Sequence, residues 1–258
     1  QRQRLSQRVL YRSLLNKVKR WFVDQLDARG LPIGTGGARS ATVLPRSLVR
    51  VGFPPCLQAE HFELLRTRRW VAIDEVLPPN VIERARCDIA HLQAQGHMTT
   101  DPDDTCNPMV RRQWLRTDDD YLRRASASLP GLAFCIQTLH NLPERFAEEL
   151  QLALRVPLEV LIASSPTGAG YRRHYDSYGG RDNPRLLTVL LYLSWTPARG
   201  GALRMHLPNK RVRDLKPMPG RMVVFFSQEI EHEVLPSEGE RFVLTLWVWD
   251  VKRDSFGR

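Results

Sequence analysis

The chain has 258 residues, of which 42% are hydrophobic, 8% aromatic and 26% charged. That is globular composition with enough apolar surface for a substantial core, and it excludes a collagenous, wholly disordered or disulfide-scaffolded chain. The formal net charge of +10 is unevenly spread: residues 1–60 hold 11 Lys and Arg against 3 Asp and Glu, so a polyanion would be met by this segment rather than by the nearly balanced remainder.

Residues 1–55 read as a basic N-terminal segment and linker ahead of a domain over 56–258. In residues 1–23, Leu5, Leu10, Leu14, Val18, Trp21 and Phe22 recur at roughly helical spacing among arginines without acids. The pattern fits an amphipathic helix packed on the domain and also an organelle transit helix. Cytoplasm or nucleus is the expected location, with organelle targeting as the alternative. From Gly30 to Pro55 the density of Gly, Pro, Ser and Thr without periodicity predicts a linker. Cys56, Cys87, Cys106 and Cys135 form no CxxC pair, which argues against a zinc ribbon or thioredoxin-type site and fits a reducing compartment. The longest strongly apolar stretch, Leu186 to Trp195, is too short to span a bilayer as a helix.

Within the domain, Leu57–Leu65 predicts a short helix and Trp70–Ile73 a short buried strand. Pro78, Pro79 and Asn80 can open a helix whose Ile82, Ala85, Ile89 and Leu92 share one face and which Gly96 stops. The polar run from Gly96 to Arg111, broken by Pro102 and Pro108, predicts a loop long enough to act as a lid. Asp118, Asp119 and Asp120 predict a helix start, because the helix dipole favours acids there. From Pro130, the residues Leu132, Ile136, Leu139 and Leu142 form one stripe; Pro143 interrupts it, and Phe146, Leu150 and Leu154 resume it. Beyond Pro157 come seven short apolar runs bounded by turn residues: LEVLIAS, YRRHYD, LLTVLLYL, GALRMHL, RMVVFF, HEVL and RFVLTLWVW. They predict a β-barrel or sandwich, mainly over 157–250. The fold class is therefore α+β: a double-stranded β-helix, or jelly roll, buttressed by N-terminal helices.

His174 and Asp176 stand at i and i+2 on a predicted strand, where alternation puts both on one face. His232, late in the same set of strands, would complete two imidazoles and one carboxylate. That facial set leaves positions open on a non-haem Fe(II), whereas a closed zinc site wants four ligands. Arg241 opens RFVLTLWVW and shares a face with Val243, Thr245 and Trp247. A guanidinium on a buried strand is costly unless paired, and a ligand carboxylate would answer that cost.

The runs YRRHYD, LLTVLLYL, GGALR, GRMVVFF, HEV and ERFVLTLWVWD, in this order, resemble the 2-oxoglutarate and Fe(II)-dependent dioxygenases, and within them the Egl-nine (HIF prolyl hydroxylase) type. The likeness runs from about Leu57 to Asp250. It implies that His174, Asp176 and His232 hold the iron and that Arg241 pairs with the distal carboxylate of 2-oxoglutarate. It also implies that Tyr192 and Thr245 hydrogen-bond that cosubstrate and that Leu203 packs against its methylenes. Tyr171, Arg185, Trp247 and Trp114 match the rim where a prolyl residue enters. The implied activity is hydroxylation of prolyl residues in a protein substrate, with Fe(II), 2-oxoglutarate and O2, ascorbate in support, and a link to oxygen sensing. In one departure, Ser165 precedes Pro166 where close relatives have tyrosine. An AlkB-like nucleic-acid demethylase, suggested by the basic N-terminus, is disfavoured because its RxNxTxR signature needs further polar positions after Arg241, where this chain reads RFVLT. A catalytically silent jelly-roll binding module has no positive sign in the sequence.

Overall fold

In the computed structural model, the helices precede the main run of strands as the periodicity predicts, with three strands interleaved among them. Residues 57–102, 104, 107–155, 157–179, 183–193 and 200–251 are described; the basic segment 1–55, Cys56 and Cys106 lie outside them. Helix α1 (Ala59–Arg68) opens with a capping box between Gln58 and His61 and closes at Arg69 in the left-handed region. Strand β1 (Trp70–Ile73) follows. Helix α2 (Pro79–Ala94) buries Ile82, Ala85, Asp88, Ile89 and Leu92. Strands β2 (Thr99–Thr100) and β3 (Arg111–Arg116) form an antiparallel pair. Helix α3 (Asp119–Ser128) starts at Asp118, whose carboxylate accepts the Tyr121 N–H at 3.0 Å. Helices α4 (Pro130–His140) and α5 (Leu142–Leu150) complete the helical layer.

The strands after them are β4 (Leu154–Arg155), β5 (Glu159–Ser165), β6 (Tyr171–His174) and β7 (Arg185–Tyr192). The series continues with β8 (Leu203–Leu207), β9 (Arg211–Leu215), β10 (Met222–Phe226), β11 (Glu231–Val234) and β12 (Arg241–Asp250). All pairings are antiparallel. The major sheet runs β1-β10-β7-β12-β5-β3-β2, with β4 also on β12, and the minor sheet runs β6-β11-β8-β9.

Four strands go beyond the expected apolar runs: β2, β3, β4 and β9. Strand β3 reads RRQWLR and buries only alternate positions, and β9 is an edge strand with four of its five residues exposed. Edge strands carry charge to block further pairing, which hides them from a search for apolar runs. Leu154, expected on a helix, pairs with Asp250 instead, because Gln151 takes a left-handed conformation that ends α5. Pro143 does not interrupt a helix. It stands in the first turn of α5, where its missing N–H leaves nothing unsatisfied.

Period-two alternation sorts the major sheet into two cores. Leu187, Val189, Leu191, Leu244, Leu246 and Val248 face the helices. From the opposite face Leu190, Tyr192, Val223, Phe225 and Val243 meet Leu203 and Met205 of the minor sheet. That second face is the one Arg241, Thr245 and Trp247 share. No helix among the described residues is long and apolar enough to cross a membrane.

The helical layer is held tightly where α2 meets α4. A Cβ added at Gly131 would lie 2.2 Å from the Ala85 backbone nitrogen. Buried Asp88 accepts the Leu132 N–H at 2.9 Å, capping α4 from its neighbour. Gly131→Ala should therefore cost at least ~1–3 kcal/mol by overpacking, visible as a lower melting temperature at roughly 2–4 °C per kcal/mol; an unchanged melting point would mean that the helices need not approach so closely. Burial pushes the Asp88 carboxyl above its usual range, against the pull of the Leu132 and Gly131 N–H groups and of Arg84. A raised folded pKa makes the ionised form a penalty that is complete above that pKa and absent below the unfolded value of about 3.9. Asp88→Asn should accordingly stabilise the fold at neutral pH, with the gain vanishing on acidification; denaturant titrations at the two pH values check this.

Candidate active site

Pairing of β6 with β11 sets His174 directly opposite His232, with ring centroids 4.4 Å apart. Asp176 departs from the expected strand position: β6 ends at His174, and Asp176 lies on the bend that follows. The bend brings Asp176 Oδ1 to 3.4 Å from His174 Nε2 and Oδ2 to 3.9 Å from His232 Nε2. Ligand atoms of the three residues lie within 4.8 Å of one another, the one such grouping of three found among the described residues.

Each imidazole is oriented by its own backbone. His174 Nδ1 meets the Arg172 carbonyl at 2.7 Å and His232 Nδ1 meets the Ile230 carbonyl at 3.1 Å. A carbonyl only accepts, so Nδ1 carries the proton and Nε2 turns its lone pair to the centre. Burial pushes the His232 pKa down despite Asp176, which keeps that ring a neutral donor. For His174 burial acts the same way but is outweighed by the Asp176 carboxylate, and its pKa rises. Burial opposes ionisation of Asp176 as well, yet His174, His232, Arg185 and Thr188 together hold its carboxyl far below the usual range. Two Nε2 atoms and one carboxylate converging from one side fit a divalent cation that keeps other positions open.

Arg241 is 5% exposed. Its Nε is buried with no hydrogen-bond partner among the described residues, and a terminal nitrogen donates to Tyr192 Oη at 3.4 Å. Register places Arg241 opposite Ser165, Val243 opposite Tyr192 and Thr245 opposite Leu190. Tyr192, Leu203, Thr245 and Arg241 are all buried, and strand alternation puts them on the walls between the two sheets. Ser165 is thus beside the cation.

The four expected rim residues surround this centre. Trp114 and Trp247 have ring centroids 5.8 Å apart, the Arg185 guanidinium lies 4.0 Å from the Trp247 ring, and Tyr171 stacks 4.5 Å from His174. Arg185 also donates to the Asp176 carbonyl at 3.3 Å. Three further residues touch Asp176 or its support without having been singled out by sequence. Thr188 donates to Asp176 Oδ2 at 2.7 Å, Ser227 lies 2.8 Å from Thr188 Oγ1, and Asn183 donates to the Asp176 carbonyl at 3.1 Å. Thr188 is the lone polar residue in LLTVLLYL, a legible signal; Ser227 and Asn183 sit in loops that carry none.

Residues 160–249 match the family model of the 2OG-Fe(II) oxygenase superfamily. Over 100 residues the chain is 34% identical to prolyl hydroxylase EGLN3 of Mus musculus and 33% to that of Homo sapiens, each alignment covering 36% of this chain. It spans 41% of the length of those relatives. Among solved structures, a Pseudomonas putida prolyl-4-hydroxylase superposes with a TM-score of 0.63 at 29% identity, covering 74% of this chain and 98% of that one. A prolyl hydroxylase from Trichoplax adhaerens, solved with a peptide fragment of the hypoxia inducible factor oxygen degradation domain, gives a TM-score of 0.66 at 20% identity, covering 85% and 98%. The donor triad and the buried cation both fall inside the segment that matches the 2OG-Fe(II) oxygenase superfamily model.

Proposed function

We propose that the protein is a 2-oxoglutarate- and Fe(II)-dependent dioxygenase that hydroxylates prolyl residues of a protein substrate. The observation that carries this reading is the buried Arg241 Nε without a partner among the described residues, on the wall of a barrel that also holds His174, Asp176 and His232. The three donors would hold Fe(II). Arg241 would take the distal carboxylate of 2-oxoglutarate, Tyr192 and Thr245 would hydrogen-bond it, and Leu203 would pack on its methylenes. When bound, Fe(II) and 2-oxoglutarate supply the O2 chemistry that couples oxidative decarboxylation of the keto acid to hydroxylation of a C–H bond.

What the chain contributes is binding and orientation. Arg241 neutralises an incoming carboxylate inside a dry pocket, where a charge-assisted pair is strong and directional. Apolar walls exclude water around it. Trp247, Trp114, Tyr171 and Arg185 form an aromatic and cationic rim suited to a prolyl ring and its peptide backbone, which fixes the position of the C–H bond. The catalytic unit is residues 56–258, with 1–55 as a separate basic segment. Thiols at Cys87 and Cys135, both free, support a reducing compartment, cytoplasm or nucleus. An oxygen-sensing role belongs to the same reading, supported by the likeness to EGLN3 and to the Trichoplax adhaerens enzyme.

Purified protein given Fe(II), 2-oxoglutarate, O2 and ascorbate should release succinate and add one oxygen atom to proline in a captured protein substrate, read by mass spectrometry. His174→Ala should abolish both signals; full turnover by that variant would remove His174 from the ligand set. Arg241→Ala should weaken 2-oxoglutarate binding at least about 100-fold, the scale of about 3 kcal/mol for breaking a buried charge pair, while metal affinity stays within about threefold. Equal 2-oxoglutarate affinity in the two forms would sink the role given to Arg241.

A further inference from the structure

The two histidines of the centre are placed by strand pairing, but Asp176 is not. It lies two residues beyond the end of β6, outside any ladder, so its position must come from other bonds. Its carbonyl is held by Asn183 and Arg185. Its side chain is held by Thr188, fully buried on β7, which donates to Oδ2 at 2.7 Å.

Thr188 has one hydroxyl proton, and an ionised carboxylate only accepts. The proton is therefore committed to Asp176, and the 2.8 Å contact between Thr188 Oγ1 and Ser227 Oγ must have Ser227 as its donor. The result is a directed chain, Ser227 to Thr188 to Asp176 Oδ2, in which each hydroxyl polarises the next. Both hydroxyl residues are completely buried, so water does not compete for these bonds. Oδ1, with no hydroxyl donor, lies 3.4 Å from His174 Nε2, while Oδ2 lies 3.9 Å from His232 Nε2 with part of its accepting capacity taken by Thr188.

We infer that Thr188 and Ser227 are positioning residues that hold Asp176 Oδ2 by a hydrogen bond and so favour Oδ1 as the donor atom. The inference rests on the oxygenase reading for its consequence. A carboxylate free to offer both oxygens would take up one of the positions that a chelating keto acid needs, so the hydroxyl chain protects cosubstrate binding rather than metal binding. Thr188→Val keeps the shape of the side chain and deletes the bond, while Thr188→Ser keeps the hydroxyl.

The test uses the full chain and Mn(II) as the metal probe, with metal and 2-oxoglutarate affinities measured separately by calorimetry. Thr188→Val should bind Mn(II) within about threefold of the parent protein but bind 2-oxoglutarate ~10-fold more weakly, read as the ratio of dissociation constants. Thr188→Ser should restore it, and Ser227→Ala should fall between. Thr188→Val with parental 2-oxoglutarate affinity would overturn the inference. So would equal losses of both affinities that Thr188→Ser fails to rescue, since that is the signature of general damage. Co(II) absorption recorded without 2-oxoglutarate supplies an arm independent of the oxygenase reading: it should change in Thr188→Val and return in Thr188→Ser, and identical spectra in all three proteins would overturn the assignment. If the parent protein binds Mn(II) but not 2-oxoglutarate, the oxygenase reading fails while the Co(II) arm still decides the role of Thr188.

Discussion

A charge buried between two apolar sheets must be answered, and in this barrel one charge is answered within the chain and the other is not. Asp176 is met by two imidazoles, by the field of Arg185 and by the Thr188 hydroxyl. Arg241 is met by a tyrosine hydroxyl and the face of its ring, but by no carboxylate among the described residues. Uncompensated burial of a guanidinium costs several kcal/mol, a cost that a bound anion would recover. The Asp176 side of the centre thus has its charge answered from within the chain, and the Arg241 side has no carboxylate partner among the described residues.

The period-two geometry of β12 delivers this arrangement. One set of alternate residues, Phe242, Leu244, Leu246 and Val248, packs on the helices. The other set faces the minor sheet, so Arg241, Thr245 and Trp247 follow one another along one wall between the two sheets. A slip of one residue in the pairing with β7 would exchange the two sets and put Arg241 against the helices. The long ladders of β12 with β7 and β5 therefore do more than stabilise the sheet: they fix which side of it the chemistry occupies.

Much of this was legible in the sequence because strands buried on both faces read as apolar runs, and a polar residue within such a run needs a reason. Arg241 stood out on those grounds, His174 and Asp176 through their i, i+2 spacing and His232 as a further imidazole late in the same strands, and the register that joins Thr245 and Trp247 to Arg241 follows from alternation alone. Strands β3 and β9 did not stand out, since their exposed positions carry arginines that mimic a loop. Leu154 was misplaced because a helical stripe can run on in sequence after the backbone has turned at Gln151. Ser227 lies just past the end of β10, and its role exists only through a contact with a strand 39 residues away.

The one expectation about the centre that the structure changes, Asp176 on a strand, also explains why the centre can form. Residues directly opposed on paired antiparallel strands bring their side chains within about 4.5–5.5 Å, which suits His174 and His232. A third ligand two positions along a regular strand would lie about 6.6 Å further on and in line with the first. Three donors on a flat sheet would then form an open right angle with one arm of about 6.6 Å, too wide to close on one ion. The bend after His174 turns Asp176 back toward both imidazoles, drawing the three donors within 4.8 Å of one another. Leaving the strand forfeits the ladder's support, and the bonds from Asn183, Arg185 and Thr188 replace it at the backbone and at the carboxylate.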